Sequence, residues 1–92
     1  MDEPGPPAIE LFGTRACPYT AELREQLLWD QRDFVEYDVG DDRDALERML
    51  RLTDGQRTVP VLVENGQVTQ IGWRGLGSVI DVQPVAKNPR ER

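Results

Sequence analysis

Strand-type and helix-type segments alternate along this chain, and their order constrains the fold more than any other feature. Short apolar or alternating runs predict strands, and apolar residues three or four positions apart predict helices. The first two predicted strands, joined through a helix, should be parallel with a right-handed crossover. The sequence therefore predicts an α/β fold of order β-α-β-α-β-β, with helices packed on a mixed sheet. The predicted strands are residues 8–12, 34–39, 61–64 and 67–71, and the predicted helices are residues 18–31 and the segment between Asp42 and Gly55.

Local signals mark the ends of several elements. Asn65-Gly66 lies between the last two strands and predicts a hairpin, because a type I′ turn needs two residues with positive φ. Asp41 or Asp42 is expected to cap the second helix, whose positive end favours acidic residues. Gly55 is expected to end that helix in a left-handed conformation.

Composition excludes several classes of protein. The chain has 92 residues, of which 38% are hydrophobic and 30% charged, so one modest core is expected. Its single cysteine cannot close an internal disulfide, and without histidine the usual zinc ligands are missing. No apolar stretch is long enough to span a membrane, and the net charge of -6 disfavours nucleic-acid binding. We therefore expect no membrane partner, no nucleic-acid partner and no metal.

The two ends of the chain differ from its middle. Residues 1–7 are acidic and rich in proline, and residues 83–92 are polar. We expect a flexible N-terminal segment and a polar C-terminal tail on either side of one domain, residues 8–82. The first residues show neither a basic start with an apolar run nor the arginine-rich pattern of a mitochondrial presequence. A cytoplasmic location is therefore expected, where a lone thiol stays reduced.

Cys17 carries the most chemical information. It lies between the first strand and the first helix, directly before Pro18, which suits the first helical position. The free N–H groups of a first helical turn and the helix dipole favour a thiolate. Arg15 is close enough in sequence to add a cation, and Thr20 is placed for its hydroxyl to reach the sulfur. The alternative is a buried, inert cysteine, so a reactive role requires a sulfur that is both ionised and accessible.

A second motif, Thr58-Val59-Pro60, comes directly before the third predicted strand. Proline cannot donate a hydrogen bond to a sheet ladder, so Pro60 should begin the strand or form a turn. Because most peptide bonds before proline are trans, the residues alone predict an ordinary trans proline here.

Together these segments resemble the glutaredoxins, a family with the thioredoxin fold. The resemblance rests on Cys17-Pro18-Tyr19-Thr20 after the first strand and on Gln56-Arg57-Thr58-Val59-Pro60 before the third. Gly75-Leu76-Gly77-Ser78 is a weaker match to the family's glycine-rich loop. The resemblance covers about residues 8–80.

The resemblance implies a fold and the outline of a site. The fold would be a thioredoxin-like sheet of the glutaredoxin type, with the C-terminal helix reduced or absent. Pro60 would be cis and would pack next to Cys17. The backbone of Val59 would pair with the peptide of a bound thiol such as glutathione, in the manner of an added strand.

The chain departs from the family pattern at three places. Thr20 stands where many members have a second cysteine, so no internal disulfide can form. Thr14 stands where a lysine is usual, with Arg15 one step away, whereas Arg57 does match a family cation. Ser78-Val79 replaces the pair whose acidic residue binds the glutathione amine. These departures leave the identity of the small thiol open.

The form Cys17-Pro18-Tyr19-Thr20 and Trp73 are similar to the UXX-star group of this fold. That group includes selenoproteins with selenocysteine at the position of Cys17. The resemblance thus implies a redox function for this position.

The resemblance and the thiol count together imply a one-thiol oxidoreductase without a tightly bound cofactor. The Cys17 thiolate would attack a protein or small-molecule disulfide, and an external small thiol, glutathione or another, would release the mixed disulfide. Arg15 and Arg57 would bind carboxylates of that thiol, unless they are ordinary surface arginines. The Ser78 backbone N–H would bind another carboxylate of the same thiol. The expected catalytic residues are Cys17, Pro18, Tyr19 and Thr20, and the expected thiol-binding residues are Arg15, Arg57, Thr58, Val59, Pro60, Gly77 and Ser78.

Two other functions stay open at this point. An iron–sulfur carrier would use one Cys17 per subunit with two external thiols, although Pro18 and Tyr19 depart from the Cys-Gly-Phe-Ser of the glutaredoxins that do this. A thiol peroxidase would oxidise Cys17 to a sulfenic acid and then reduce it. The acidic cluster near the second helix shows no calcium-loop spacing, so it predicts a solvated helix start and no metal site.

A reduced C-terminal helix would leave part of the sheet uncovered. We expect Trp73 to pack over that open edge, with a place in the wall of the substrate groove as the alternative. An uncovered apolar face also predicts weak homodimerisation.

Overall fold

The computed structural model describes residues 8–80. The predicted order of strands and helices is confirmed, and the structure has two further short strands. The predictions of a flexible segment at residues 1–7, of a polar tail at 83–92 and of a reduced or absent C-terminal helix lie outside the described residues. The elements are β1 (Ile9–Gly13), α1 (Pro18–Trp29), β2 (Val35–Asp38), α2 (Arg43–Leu52), β3 (Thr58–Val59), β4 (Val61–Glu64), β5 (Gln67–Ile71) and β6 (Ser78–Val79).

The main sheet has four strands in the order β2-β1-β4-β5. β1 and β2 are parallel, as predicted for strands joined through a helix. β4 is antiparallel to both β1 and β5, so the sheet is mixed. All five residues of β1 are buried, because this strand has a neighbour on each side and a helix on each face.

Alternation along β1 divides the core into two clusters. Leu11 packs with Leu23 and Leu27 of α1, whereas Phe12 packs with residues of α2 on the opposite face. Leu28 directly follows Leu27 in α1 and is exposed. Consecutive helical residues point about 100° apart, so Leu27 and Leu28 cannot both face the sheet.

The predicted turn and cap signals are confirmed. The Asp42 side chain caps α2 by accepting a hydrogen bond from the Ala45 N–H at 3.0 Å. Gly55 follows that helix with φ 93°. Asn65 and Gly66 both have positive φ, as the hairpin between β4 and β5 requires.

β3 and β6 form a separate two-stranded antiparallel sheet that was not predicted. Thr58 pairs with Val79 and Val59 pairs with Ser78, and the Ile80 N–H donates to the Arg57 carbonyl at 2.8 Å. Strands of two residues are too short to show a periodic pattern, which explains why the sequence did not reveal them. This pairing brings residues 77–80 back to the segment before Pro60.

A buried carboxylate on β1 is a further feature that the sequence did not reveal. Arg48 of α2 donates to both oxygens of Glu10, at 2.5 and 2.9 Å, and the Tyr37 hydroxyl donates at 2.9 Å. The hydrogen bonds from Arg48 lower the pKa of Glu10; burial opposes this, and the bond from Tyr37 adds to the lowering. The network ties α2 and β2 to the central strand.

Between residues 8 and 80 neither helix has the length and apolar character that crossing a membrane would require.

Candidate functional site

Cys17 occupies the N-cap position of α1, and Pro18 is the first residue of the helix. This agrees with the position predicted from the sequence. The residue is only 3% exposed, and it packs in the cluster that contains Phe12, Val59 and Ile80. A reactive role was expected to require an accessible sulfur. In the structure Cys17 is buried instead, because residues from β3 and β6 cover the start of α1.

The sulfur of Cys17 has one hydrogen-bond donor and one acceptor beside it. The Ser78 hydroxyl donates to Sγ at 3.2 Å, and the Val59 carbonyl lies 4.0 Å from Sγ as an acceptor for the thiol proton. Burial, the largest single influence, raises the pKa of Cys17. The Ser78 and Thr20 hydroxyls and the backbone N–H groups of Thr20 and Tyr19 together outweigh burial, so the pKa is lowered overall. The pKa of Cys17 is thus lower than that of an ordinary cysteine, although the residue is buried.

Thr20 is completely buried in the first turn of α1. Its hydroxyl oxygen has no hydrogen-bond partner within residues 8–80. A Cβ on Gly13 would lie 2.3 Å from Thr20 Cγ2 and 2.5 Å from Oγ1, so only glycine allows this close packing. When Cys17 ionises, the Thr20 hydroxyl stabilises the thiolate and so lowers the pKa of Cys17.

The Val59–Pro60 peptide bond is cis, as the resemblance implied and as the residues alone did not predict. Val59 and Pro60 are both buried, and Val59 shares a cluster with Cys17. The motif therefore lies directly beside the sulfur.

The backbone of Val59 is not left open for a bound thiol. Pro60 has no N–H, so the antiparallel pair of Val59 and Ser78 must be one in which the two residues exchange both hydrogen bonds. The next such pair along the ladder is Arg57 with Ile80, whose N–H donates to the Arg57 carbonyl. In this conformation Val59 and the Ser78 N–H are each other's partners, so this pair would have to separate before either could bind a ligand.

The two arginines expected to bind carboxylates have different surroundings. Arg15 is exposed, and its guanidinium donates to Asp38 at 3.0 Å and to Asp41. Both hydrogen bonds raise the pKa of Arg15, and the bond to Asp38 has the larger effect. In this structure Arg15 is therefore paired with two carboxylates, those of Asp38 and Asp41, and not with the sulfur. Arg57 is half-buried at the start of β3 and forms no ion pair with any carboxylate between residues 8 and 80.

The other expected site residues lie around the same segment. Tyr19 is partly buried and packs against the cluster of Cys17, whereas Pro18 and Gly77 are exposed. Trp73 packs against the other cluster, that of Leu23 and Leu27, and its indole N–H donates to Glu22 at 2.8 Å. Trp73 therefore covers a core edge, as expected. Its alternative place in a substrate groove is not the one observed.

The described residues include no group of His, Cys, Asp and Glu side chains that is arranged to hold a metal ion.

Comparison with known proteins agrees with this geometry. The glutaredoxin family model matches residues 9–69, more than half of the chain. A probable glutaredoxin of Synechocystis sp. is 30% identical over 59 residues, which are 64% of this chain and 54% of that protein. The chain thus spans about half the length of this curated relative.

Solved structures show the same architecture. The thioredoxin-like protein BC3987, solved as a point variant, is 28% identical, with a TM-score of 0.66 over 73% of this chain and 83% of its own. The glutaredoxin of Archaeoglobus fulgidus is 20% identical, with a TM-score of 0.64 over 76% of this chain and 79% of its own. The fold is thioredoxin-like, and the protein belongs to the glutaredoxin family.

Proposed function

We propose that this protein is a one-thiol thiol–disulfide oxidoreductase that works through a mixed disulfide between Cys17 and glutathione or another small thiol. The environment of Cys17 is the observation that supports this proposal. The sulfur lies at the start of α1, accepts a hydrogen bond from Ser78 at 3.2 Å and has a lowered pKa. A thiolate is the form that attacks disulfides.

The reaction has two exchange steps. In the first, the Cys17 thiolate attacks a disulfide between a substrate and a small thiol. A bond forms between Cys17 and the small thiol, the original bond breaks, and the substrate leaves as a thiolate that takes up a proton. In the second, another small thiol attacks as its thiolate, releases the Cys17 thiolate and leaves as a disulfide with the first. Across both steps, the substrate sulfur is reduced to a thiol, the one incoming small thiol is oxidised as it joins the first in a disulfide, and Cys17 returns to its starting state.

Thr20 explains why the second step needs an outside thiol. Cys17 is the chain's single cysteine, and the family's second cysteine is replaced by Thr20. An internal disulfide is therefore excluded. Reduction of protein disulfides by a two-cysteine cycle is excluded for the same reason. The proposed cycle favours removal of small thiols from proteins.

Arg57 is the residue we assign to the small thiol's carboxylate. It flanks Thr58-Val59-Pro60, is half-buried and has no ion-pair partner within the described residues. A guanidinium can bind a carboxylate with two parallel hydrogen bonds. We also propose that the protein associates weakly with itself, that it is located in the cytoplasm, and that it is related to the UXX-star group.

The burial of Cys17 favours thiol peroxidase activity as a second candidate. A residue that is 3% exposed is more easily reached by a peroxide than by a peptide disulfide. The thiolate would attack one peroxide oxygen, the O–O bond would break, and the products would be a sulfenic acid and an alcohol or water. Two molecules of an external thiol would then restore the Cys17 thiol and form a disulfide and water.

Steady-state assays separate these activities. The purified protein should reduce a peptide–glutathione mixed disulfide in the presence of glutathione, and Cys17→Ser should abolish turnover. Arg57→Gln should raise KM several-fold with little effect on kcat, whereas Arg51→Gln, an exposed arginine on α2, should change neither. Mixed disulfides made with cysteine or another small thiol identify the preferred thiol. Turnover of hydrogen peroxide alone would overturn the oxidoreductase proposal in favour of the peroxidase.

A further inference from the structure

Residues 77–80 lie over the reactive sulfur, and we call them the strap. Ser78 donates to Cys17 Sγ, and the Ile80 side chain is buried in the same cluster as Cys17 and Val59. Cys17 is only 3% exposed. A disulfide sulfur cannot approach Sγ in this closed conformation, because bond formation requires direct contact between the two sulfur atoms.

The strap also occupies the edge of β3. Val59 exchanges backbone hydrogen bonds with Ser78, and the Arg57 carbonyl accepts from Ile80. A strand edge of this kind is where an extended peptide can add to a sheet. The strap therefore holds the same backbone groups that a peptide-like disulfide would need.

We propose that the strap is a displaceable internal occupant of the β3 edge, and that a substrate disulfide must replace it to reach Cys17. This inference rests on the proposed function and adds a selection step to it. A substrate with a peptide backbone regains the hydrogen bonds that the strap gives up, whereas a substrate without one does not. The protein should therefore prefer disulfides of extended peptide-like thiols to compact ones.

The strap's attachment is local enough to open without unfolding the domain. It pairs with β3 over only two residues of regular strand, and Val79 is 74% exposed. Ile80 is the strap's single core side chain within the described residues. Short segments with few buried contacts open at a lower free energy than central strands.

Gly77 offers a way to open the strap with one small change. A Cβ at this position would lie 2.7 Å from the Val59 carbonyl oxygen and 2.7 Å from Thr58 Cγ2. Because the Val59 oxygen is backbone, the strap would have to move away. Val79→Ala is the matched control, since that side chain is exposed in the same segment.

The first test measures alkylation of Cys17 by iodoacetamide and by iodoacetamide coupled to a large dye. The reaction is run at a pH where the thiol is ionised in every variant, so that loss of the Ser78 bond does not alter the result. Gly77→Ala should raise the rate with the dye reagent about tenfold, and the rate with free iodoacetamide by less. Val79→Ala should stay close to the parent chain. Equal dye rates in Gly77→Ala and the parent chain would overturn the proposal.

A second test uses the parent chain and needs no variant to fold. In the reduced protein, the Ile80 amide should exchange its hydrogen about a hundredfold faster than the protected amides of β1. After reaction with oxidised glutathione, which leaves Cys17 disulfide-bonded to one glutathione and releases the other as thiolate, Ile80 protection should be lost while β1 stays protected. Exchange of Ile80 only at the rate of global unfolding, or protection retained in the adduct, would reject the strap.

These measurements are independent of turnover. A strap that opens as described in a protein without disulfide-exchange activity would reject the proposed function alone. Efficient turnover by a protein whose Ile80 amide keeps its protection in the glutathione adduct would reject the strap alone.

Discussion

Two buried polar side chains, Glu10 in β1 and Thr20 in α1, have opposite surroundings. Glu10 is 2% exposed, and its carboxylate accepts hydrogen bonds from Arg48 and from Tyr37. Thr20 is fully buried, and its hydroxyl has no partner among residues 8–80. A buried polar group without a partner costs about 1–3 kcal/mol, so the fold satisfies one of these groups and leaves the other unsatisfied.

The difference separates a structural network from the candidate site around Cys17. The partners of Glu10 come from α2 and β2, so its bonds fix how these elements pack on the central strand. Thr20 lies beside Cys17, and its hydroxyl gains an acceptor of full negative charge when the thiol ionises. Polar groups that are poorly satisfied in a resting fold are expected to concentrate where chemistry occurs.

The largest effect is expected from removing Arg48. Arg48→Met leaves the Glu10 carboxylate buried with only Tyr37 as a donor. The unfolding free energy should fall by about 3 kcal/mol, at the low end for a broken buried pair because the Arg48 side chain is 37% exposed. Chemical denaturation measures this change. The alkylation rate of Cys17 in the folded protein should not change.

Arg24→Met is the matched control for that variant. Arg24 also donates twice to one carboxylate, that of Glu36, but both side chains are about one-third exposed. Solvent screens this pair, so its loss should cost about 1 kcal/mol or less. Equal destabilisation by the two variants would contradict the special role of Glu10.

The sequence predicts the parts of the fold that depend on local chemistry. Apolar spacing identified α1 and α2, Asn65-Gly66 identified the hairpin, and Pro18 placed Cys17 at the start of a helix. Each of these signals acts between residues close together in the chain, so no knowledge of distant contacts was needed.

Contacts between distant residues account for what the sequence did not predict. Arg15 is two residues from Cys17, yet Asp38 and Asp41 hold it because the loop after β2 lies beside it. Ser78 is sixty-one residues from Cys17, and its hydroxyl reaches the sulfur only because β6 pairs with β3. Neither contact leaves a periodic or spacing signal in the sequence.

The next effect is a loss of stability in acid that depends on Glu10. Its pKa is lowered in the folded state, first by the bonds from Arg48, so its contribution is fully present above the unfolded pKa. The contribution should disappear as the pH falls through the lower, folded pKa. The loss should be smaller than that in Arg48→Met, because a protonated carboxyl keeps hydrogen-bonding capacity. Denaturation across this acid range should show a weaker pH dependence in Glu10→Gln; an unchanged dependence would assign the acid loss to other groups.

Thr20→Val is expected to have the smallest of these effects on stability. It should also change the pKa of Cys17. A methyl group replaces the unsatisfied hydroxyl at nearly the same size, so the unfolding free energy should rise by about 1 kcal/mol. The same change removes a donor from the Cys17 thiolate, so the pKa of Cys17 should rise and alkylation at neutral pH should slow. Thr20→Ser keeps the hydroxyl and should keep the lowered pKa. A pH titration of the alkylation rate compares the variants. A Cys17 pKa in Thr20→Val equal to that of the parent chain would show that the hydroxyl's position beside the sulfur has no chemical consequence.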